Sequence, residues 1–393
     1  MSSNYDCPSC GSNKMSIFYE VRNVPVNSCL LMSTEQEALN FPRGDVVLGF
    51  CESCGFISNT AFDPSMVNYS TAYEDQQSCS PTFNAFAQKL ATQLIKKHGL
   101  FNKTIIEIGC GKGDFLALLC ELGNNNGVGI DPAFISGRIQ SPATNRLTFI
   151  RDYYSERYAH YRGDLICCRH TLEHIPNTAE FVNIVRRAVG NHLETIVFFE
   201  IPDVVRVLRE LAFWDIYYEH CSYFSLGSLA RLFRQCKFDV TDLSKDFDDQ
   251  YLLIEAKPVN QASDKVHELE ESVKQIANYA RYFSRYCDEK LDRWKNRLQQ
   301  LYADKRRTVI WGSGSKCVSF ITTVGVKDEI EYVIDINPYR HGKYIPGAGK
   351  KIMSPQFLKT YKPDVTIVMN PVYCDEIRQM LDSMEVNTEI ISV

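Results

Sequence analysis

Two stretches of this chain share one plan, and that plan constrains the fold more than any other feature of the sequence. Thr104-Ile-Ile-Glu107-Ile-Gly109-Cys-Gly111-Lys-Gly113-Asp-Phe-Leu is an apolar run entering a glycine-rich turn and then a helix-forming stretch, and Gly127-Val-Gly-Ile-Asp131-Pro is a second strand ending in an acid. Thr308-Val-Ile-Trp-Gly312-Ser-Gly314-Ser-Lys316, followed by Ile330-Glu-Tyr-Val-Ile-Asp335-Ile-Asn337-Pro, repeats the pattern. Glycines let backbone approach a ligand at the carboxyl end of a strand, beside a helix amino terminus. An acid about twenty residues further on suits ribose hydroxyls. The second turn lacks the third glycine and has Lys316 where its helix begins, so contact with a phosphate or a substrate anion is as good a reading there as a dinucleotide.

Length and charge narrow the class. At ~150 residues per domain, 393 residues make two or three domains. The 43 basic and 48 acidic residues leave a net charge of −5, which gives no general attraction for a polyanion, so nucleic acid is not an expected partner. No run approaches the ~20 apolar residues of a membrane span, and the start MSSNYDCPSC has neither a basic nor an apolar leader region. We expect a soluble, cytoplasmic protein, monomeric or weakly self-associating, without a membrane partner. Fifteen cysteines, an odd number, fit a reducing compartment in which only some thiols have a task.

Four of them have one. Cys7-Pro-Ser-Cys10-Gly and Cys51-Glu-Ser-Cys54-Gly are two Cys-x-x-Cys knuckles, each followed by a glycine able to take positive φ. Four soft thiolates suit tetrahedral zinc, and with no position left open the site is structural; a redox pair or unrelated core cysteines are the alternatives. The segment up to about Pro64 has too few apolar residues for a large core of its own, so metal is expected to supply stability. Cys167 and Cys168, in an apolar run, read as small buried hydrophobes. Tyr69 to Ser80 reads as an irregular polar loop with two tyrosines, leading into an amphipathic helix from about Pro81 to Gly99.

The middle of the chain alternates strands and helices. Glu107-x-Gly-x-Gly-x-Gly, Gly-Ile-Asp131, Phe149-Ile-Arg-Asp152 and Asp164-Leu-Ile-Cys-Cys-Arg-His170-Thr-Leu-Glu173-His174-Ile-Pro together resemble the class I S-adenosylmethionine-dependent methyltransferases. An NAD-dependent dehydrogenase shares only the first two features. The resemblance implies that Glu107 and the turn of Gly109, Gly111 and Gly113 lie near the methionine part of the cofactor. It also implies that Asp131 binds ribose, that Asp152 sits near the adenine amine and that His170 belongs to the cofactor site. Strands at Glu194–Glu200, Phe238–Leu243 and Tyr251–Ala256 would complete a seven-stranded Rossmann-like sheet whose last hairpin is antiparallel.

Phe213-Trp-Asp-Ile-Tyr217-Tyr218-Glu219-His220-Cys-Ser222-Tyr223-Phe-Ser225 interrupts this regularity with aromatics, hydroxyls and titratable groups, and follows a strand ending at the ligand-binding edge of the sheet. A Glu-His pair elsewhere is often a solvated face or a buried, satisfied histidine. Here the chain resembles the sugar C-methyltransferases, which combine a cysteine-rich zinc segment, a methyltransferase core with Tyr-x-Glu-His-x-Ser-Tyr-Phe-Ser, and a carboxyl-terminal Rossmann-like domain. That resemblance implies His220 as general base with Glu219 and Tyr217 beside it, His174 as a second active-site histidine, and a loop tyrosine at Tyr73 or Tyr69. Where relatives show Tyr-x-Tyr, this chain has Tyr73-Glu-Asp75.

The chemistry needs such groups. A carbon beside a ketone becomes a nucleophile only on losing a proton to form an enolate; neutral histidine can take that proton, and a tyrosine or second histidine can hydrogen-bond the enolate oxygen. Glu219 is expected to fix the His220 tautomer or stabilise its charged form. The implied substrate is a nucleotide-linked keto-deoxysugar. The same base would serve a hydroxyl, so an O-, N- or C-methyltransferase of a non-sugar molecule, or a non-catalytic binding protein that keeps the fold, are the alternatives. Residues from about Ser263 to Lys305 are charge-rich with helical apolar spacing and read as one or two connecting helices. The expected division is a zinc segment over 1–66, a methyltransferase domain over 67–258, a helical linker over 259–306 and a Rossmann-like domain over 307–393 that covers the active site.

Overall fold

The computed structural model describes residues 5–261 and 265–393. The first segment contributes β1 (Met15–Pro25), α1 (Glu35–Leu39), β2 (Arg43–Cys51) and β3 (Ile57–Asn59). The next unit opens with α2 (Pro81–His98): Ser80 Oγ accepts from Phe83 N at 3.2 Å, Pro81 fits the first turn, and Gly99 ends the helix at φ +61°. It continues through β4 (Thr104–Ile108), α3 (Asp114–Gly123), β5 (Asn126–Ile130), β6 (Leu147–Ile150), β7 (Leu165–Arg169), α4 (Thr178–Val189), β8 (Ile196–Pro202), α5 (Val204–Glu210), β9 (Ser222–Tyr223), α6 (Leu226–Gln235), β10 (Phe238–Asp246) and β11 (Tyr251–Pro258). After α7 (Val273–Ala303) come β12 (Thr308–Trp311), α8 (Ser315–Val324), β13 (Tyr332–Ile334), β14 (Lys351–Met353), α9 (Leu358–Tyr361), β15 (Val365–Val368), α10 (Cys374–Ser383) and β16 (Glu389–Ser392).

The central sheet runs in the order β10-β11-β8-β7-β4-β5-β6. β4 to β8 are parallel, and β11 lies antiparallel between β8 and β10. It is the seven-stranded sheet with an antiparallel last hairpin that the resemblance implied, with its order reversing between β4 and β7, where ligands of open α/β sheets collect. The carboxyl-terminal sheet, β14-β13-β12-β15-β16, is wholly parallel and reverses between β12 and β15. The fold is mixed α/β throughout.

The first segment is woven into the rest. Its antiparallel sheet takes β9 as a fourth strand, Ile57 opposite Tyr223 and Ser58 opposite Ser222, so the aromatic motif of the middle domain is hydrogen-bonded to the cysteine-rich segment. Val46, Leu48 and Phe50 share one apolar cluster with Val204, Phe213, Tyr218, Phe283 and Phe320, drawn from both other units. This segment therefore shares a core rather than relying on metal alone.

The connector is a single 31-residue helix, α7, with a capping box between Ser272 and Gln275. Its stripe of Ile276, Ala280, Phe283, Cys287, Trp294, Leu298 and Leu301 is buried, Phe283 meeting Tyr19 edge-on at 5.1 Å and Trp294 meeting Phe320 at 5.2 Å. The expected linker start at about Ser263 lies outside the described residues. No helix among the described residues is long and apolar enough to cross a membrane.

Candidate active site

A cleft of about 1170 Å³ opens at the carboxyl edges of the two parallel sheets, lined by the loop before α2, the central-sheet turns, the aromatic motif and the carboxyl-terminal domain. On one side lies the glycine turn. Gly109, Gly111 and Gly113 have φ of +68°, +55° and +91°. A Cβ on Gly109 would stand 1.9 Å from Thr171 Oγ1, so packing demands glycine, whereas around Gly111 the nearest atom would be Asp75 Oδ2 at 3.8 Å, leaving that turn open to the cleft. Asp131, at the end of β5, accepts from Gly111 N at 2.8 Å and Ala133 N at 2.6 Å; burial, then the neighbouring Asp75, raises its pKa to about 6. Glu107 is buried with one carboxylate oxygen lacking a partner, and burial lifts its pKa to about 8 against the pull of Arg169. An orphaned carboxylate oxygen beside an open glycine turn fits a ligand that brings a cationic or hydroxyl donor.

His170, at φ +48°, also lines the cleft. Burial alone would depress its pKa, but Glu200 and Glu173 overcome that and raise it to about 9. Its Nε2 lies 2.7 Å from Glu200 Oε1 without the alignment of a hydrogen bond, so the contact is one of charge. Glu200 also takes a bidentate grip from Arg169 at 2.8 and 2.9 Å; burial opposes its charge, yet Arg169 and His170 hold its pKa near 2. Asp152 stands just after β6. Arg157 and Tyr158, in the turn after β6, capture its carboxylate, and it is not among the residues lining the cleft.

The other side gathers the expected acceptor residues. Tyr217 Oη is 2.9 Å from His220 Nε2, and Tyr69 Oη is 2.7 Å from His174 Nδ1, which also lies 3.0 Å from the Glu219 carbonyl oxygen. The two imidazoles stand 4.8 Å apart, and Tyr69 packs edge-on to Tyr73 at 5.1 Å. Burial, then His174, His170 and Lys316, depress the His220 pKa well below the ordinary imidazole range, so it is neutral at pH 7.

Glu219 does not face His220. Its fully buried carboxylate accepts from Ser28 N at 2.9 Å, Ser28 Oγ, Asn27 Nδ2 at 3.1 Å and Tyr73 Oη at 3.1 Å. The expectation that it fixes the His220 tautomer is corrected: neighbouring residues in an irregular loop point apart, and this carboxylate is taken by the cysteine-rich segment. Asn27 and Ser28 are functional neighbours that sequence reasoning missed, 192 and 191 residues away from Glu219 with no local pattern to mark them.

The carboxyl-terminal wall brings Trp311, Gly312, Lys316, Asn337, Asn370 and Tyr373 to the same cleft. Asp335, the counterpart of Asp131, is filled by Ser313 N and Asn337 N, each at 2.8 Å, and by Ser313 Oγ. Glu74 ties the units together, accepting from Asn337 Nδ2 at 2.9 Å and Arg138 Nη2 at 2.8 Å while its carbonyl takes Arg340. Lys316 pairs with Asp215, and Gln250 and Asn370 exchange reciprocal amide bonds of 2.9 Å.

Away from the cleft, Cys7, Cys10, Cys51 and Cys54 form one group that could hold a metal ion. The Cys7–Cys54 and Cys10–Cys51 sulfurs are 3.7 and 3.6 Å apart, against an edge of about 3.8 Å for a tetrahedron with metal–sulfur bonds of ~2.3 Å. Gly11 and Gly55 follow the knuckles at φ +74° and +76°, as their spacing implied.

Residues 78–243 match a family model described as a methyltransferase domain, and residues 254–392 match one described as a C-methyltransferase C-terminal domain. The C-methyltransferase NovU of Streptomyces niveus is 26% identical over 304 residues, covering 74% of this chain and 72% of its own. Among solved structures, the N,N-8-amino-8-demethyl-D-riboflavin dimethyltransferase RosA of Streptomyces davawensis is 18% identical with a TM-score of 0.37, the match covering 45% of this chain and 56% of RosA. The magnesium protoporphyrin IX methyltransferase ChlM of Synechocystis PCC 6803, solved with bound SAH, is 13% identical with a TM-score of 0.36, covering 48% of this chain and 91% of ChlM. The chain thus carries a methyltransferase domain in its middle and a C-methyltransferase C-terminal domain after it, the make-up of a methyltransferase enzyme.

Proposed function

We propose that this enzyme methylates a carbon alpha to a ketone in a nucleotide-linked keto-deoxysugar. The observation that carries the reading is a neutral, buried His220, held by Tyr217 beside the His174–Tyr69 pair, across one cleft from an open glycine turn. The C-methyltransferase C-terminal domain and the name of the 26% identical relative support carbon as the acceptor atom.

Glu107, the Gly109–Gly113 turn, Asp131 and His170 would hold S-adenosylmethionine. When bound, it supplies a methyl group made electrophilic by its sulfonium. With Nε2 engaged by the Tyr217 hydroxyl, His220 takes the proton at Nδ1, leaving the carbon's electron pair as an enolate. Tyr69 or His174 donates a hydrogen bond to the enolate oxygen. Tyr73, bonded to Glu219, shapes the pocket from the loop side. Zinc, bound by the four cysteines, would fix the segment that holds β9 and so the His220 loop; four thiolates leave it no open position for chemistry. An odd count of fifteen cysteines suits a reducing cytoplasm.

The test is His220→Asn against a panel of nucleotide-linked keto sugars, with product read by mass spectrometry and NMR. Cofactor affinity by calorimetry should stay near wild type while turnover drops ~10²–10⁴-fold. Wild-type turnover would remove His220 from the mechanism, and a methyl group found on oxygen or nitrogen would overturn the carbon assignment.

A further inference from the structure

One carboxylate in the acceptor pocket is left unused by the reaction outlined above. Glu173, in the turn Leu172–His174 after β7, is 2% exposed and lines the cleft, and its Oε2 has no hydrogen-bond partner. Its Oε1 lies 3.7 Å from His170 Nδ1, beyond hydrogen-bonding reach. One Glu173 oxygen and one ring nitrogen from each of His174 and His220 lie within 4.8 Å of one another. Tyr217 engages His220 Nε2, while Tyr69 and the Glu219 carbonyl engage His174 Nδ1. Among the described residues, no hydrogen bond engages His220 Nδ1.

A buried carboxylate oxygen without a partner is costly to keep in a folded chain, and such groups persist where a donor arrives during function. The proposed reaction produces one. When His220 accepts the acceptor's proton, a cation forms in a pocket where His170 and Lys316 already disfavour positive charge and His174 stands 4.8 Å away. Glu219 cannot compensate, because Ser28, Asn27 and Tyr73 occupy its carboxylate.

We propose that Glu173 is a positioning residue that supplies the counter-charge for the protonated form of His220, without touching the acceptor. This rests on His220 being the base. The proton passes from the acceptor carbon to His220 Nδ1, its electron pair stays on the enolate, and the Glu173 carboxylate accepts a hydrogen bond from the new Nδ1–H until that proton leaves to water.

The experiment follows deuterium wash-in from D2O into a nucleoside-diphosphate 4-keto-6-deoxy sugar, without methyl donor, for full-length wild type, Glu173→Gln, Glu173→Asp and His220→Asn. Wild type should exchange and His220→Asn should not. Glu173→Gln should slow exchange about tenfold or more, the equivalent of one pKa unit, while its melting temperature stays at the wild-type value. In the complete reaction, kcat falls with it and KM for S-adenosylmethionine is unchanged. Glu173→Asp should recover part of the rate; if Glu173→Gln melts early, Glu173→Asp carries the test, slower exchange at native stability supporting the role and wild-type exchange refuting it. Exchange by Glu173→Gln at the wild-type rate overturns the proposal and leaves the base intact. Exchange by His220→Asn, or none by wild type, takes down the base reading and this proposal with it. Cobalt titration closes one further route: a second equivalent beyond the four-thiolate site, lost in Glu173→Gln and needed for exchange, would give the free oxygen to a metal instead.

Discussion

Removing the Glu219 carboxylate tests whether the His220 loop is organised from within or from the cysteine-rich segment. In Glu219→Ala four buried donors lose their acceptor: Ser28 N, Ser28 Oγ, Asn27 Nδ2 and Tyr73 Oη. At about 1–3 kcal/mol for each unsatisfied buried group, and with Glu219 fully buried, the loss should be at least about 4 kcal/mol unless water enters. Glu219→Gln keeps the shape but turns an amide NH2 toward one or more donors, so its loss should be intermediate. Urea denaturation of the full chain reads the total, and hydrogen exchange at the Ser28 amide reads the local opening. Were Glu219 instead the tautomer-fixing partner of His220 alone, Glu219→Ala would abolish turnover while costing only the ~1 kcal/mol of one lost hydrogen bond. That result, with Ser28 exchange unchanged, would refute the argument.

Gly109→Ala should lose S-adenosylmethionine binding by calorimetry, because a Cβ there would stand 1.9 Å from Thr171 Oγ1 at a φ of +68°; wild-type affinity would show that the turn relaxes cheaply. Asp131→Ala should likewise abolish cofactor binding, and retained affinity would sink its ribose role. The pKa of His170 is raised from 6.5 to about 9, so its stabilising contribution is complete below pH 6.5 and is lost as pH rises through 9. Glu200, lowered from 4.5 to about 2, contributes above pH 4.5 and loses its effect as pH falls toward 2. The denaturation midpoint of His170→Asn should therefore vary less between pH 6.5 and 9 than that of wild type. Metal analysis should find one zinc per chain; stripping it with a thiol reagent and chelator should lower the midpoint and open β9 to hydrogen exchange, whereas Cys10→Ser should bind it weakly or not at all.

Much of this molecule is legible locally. The strand, glycine turn and acid-ended strand around Glu107 and Asp131 are set by residues within one βαβ unit, and periodicity with glycine punctuation reports them directly. The knuckles at Cys7 and Cys51 are equally local: two residues between cysteines and a glycine after them dictate the turn. Strand ends were less sharp, β8 running Ile196–Pro202 where Glu194–Glu200 was expected, because buried apolar runs fade gradually into their flanks.

What the sequence alone determined, then, is the α/β plan, the four-thiolate group and the identity of the residues able to do chemistry, all properties of short segments whose conformations their own side chains choose. Only the tertiary structure decided the pairing of those residues. Glu219 belongs to Ser28 and not to its chain neighbour His220, Asp152 belongs to Arg157, β9 belongs to the first segment's sheet, and Glu173 is left with an open oxygen. Hydrogen bonds reach about 3 Å, and which groups come within that reach depends on how three units pack around one cleft.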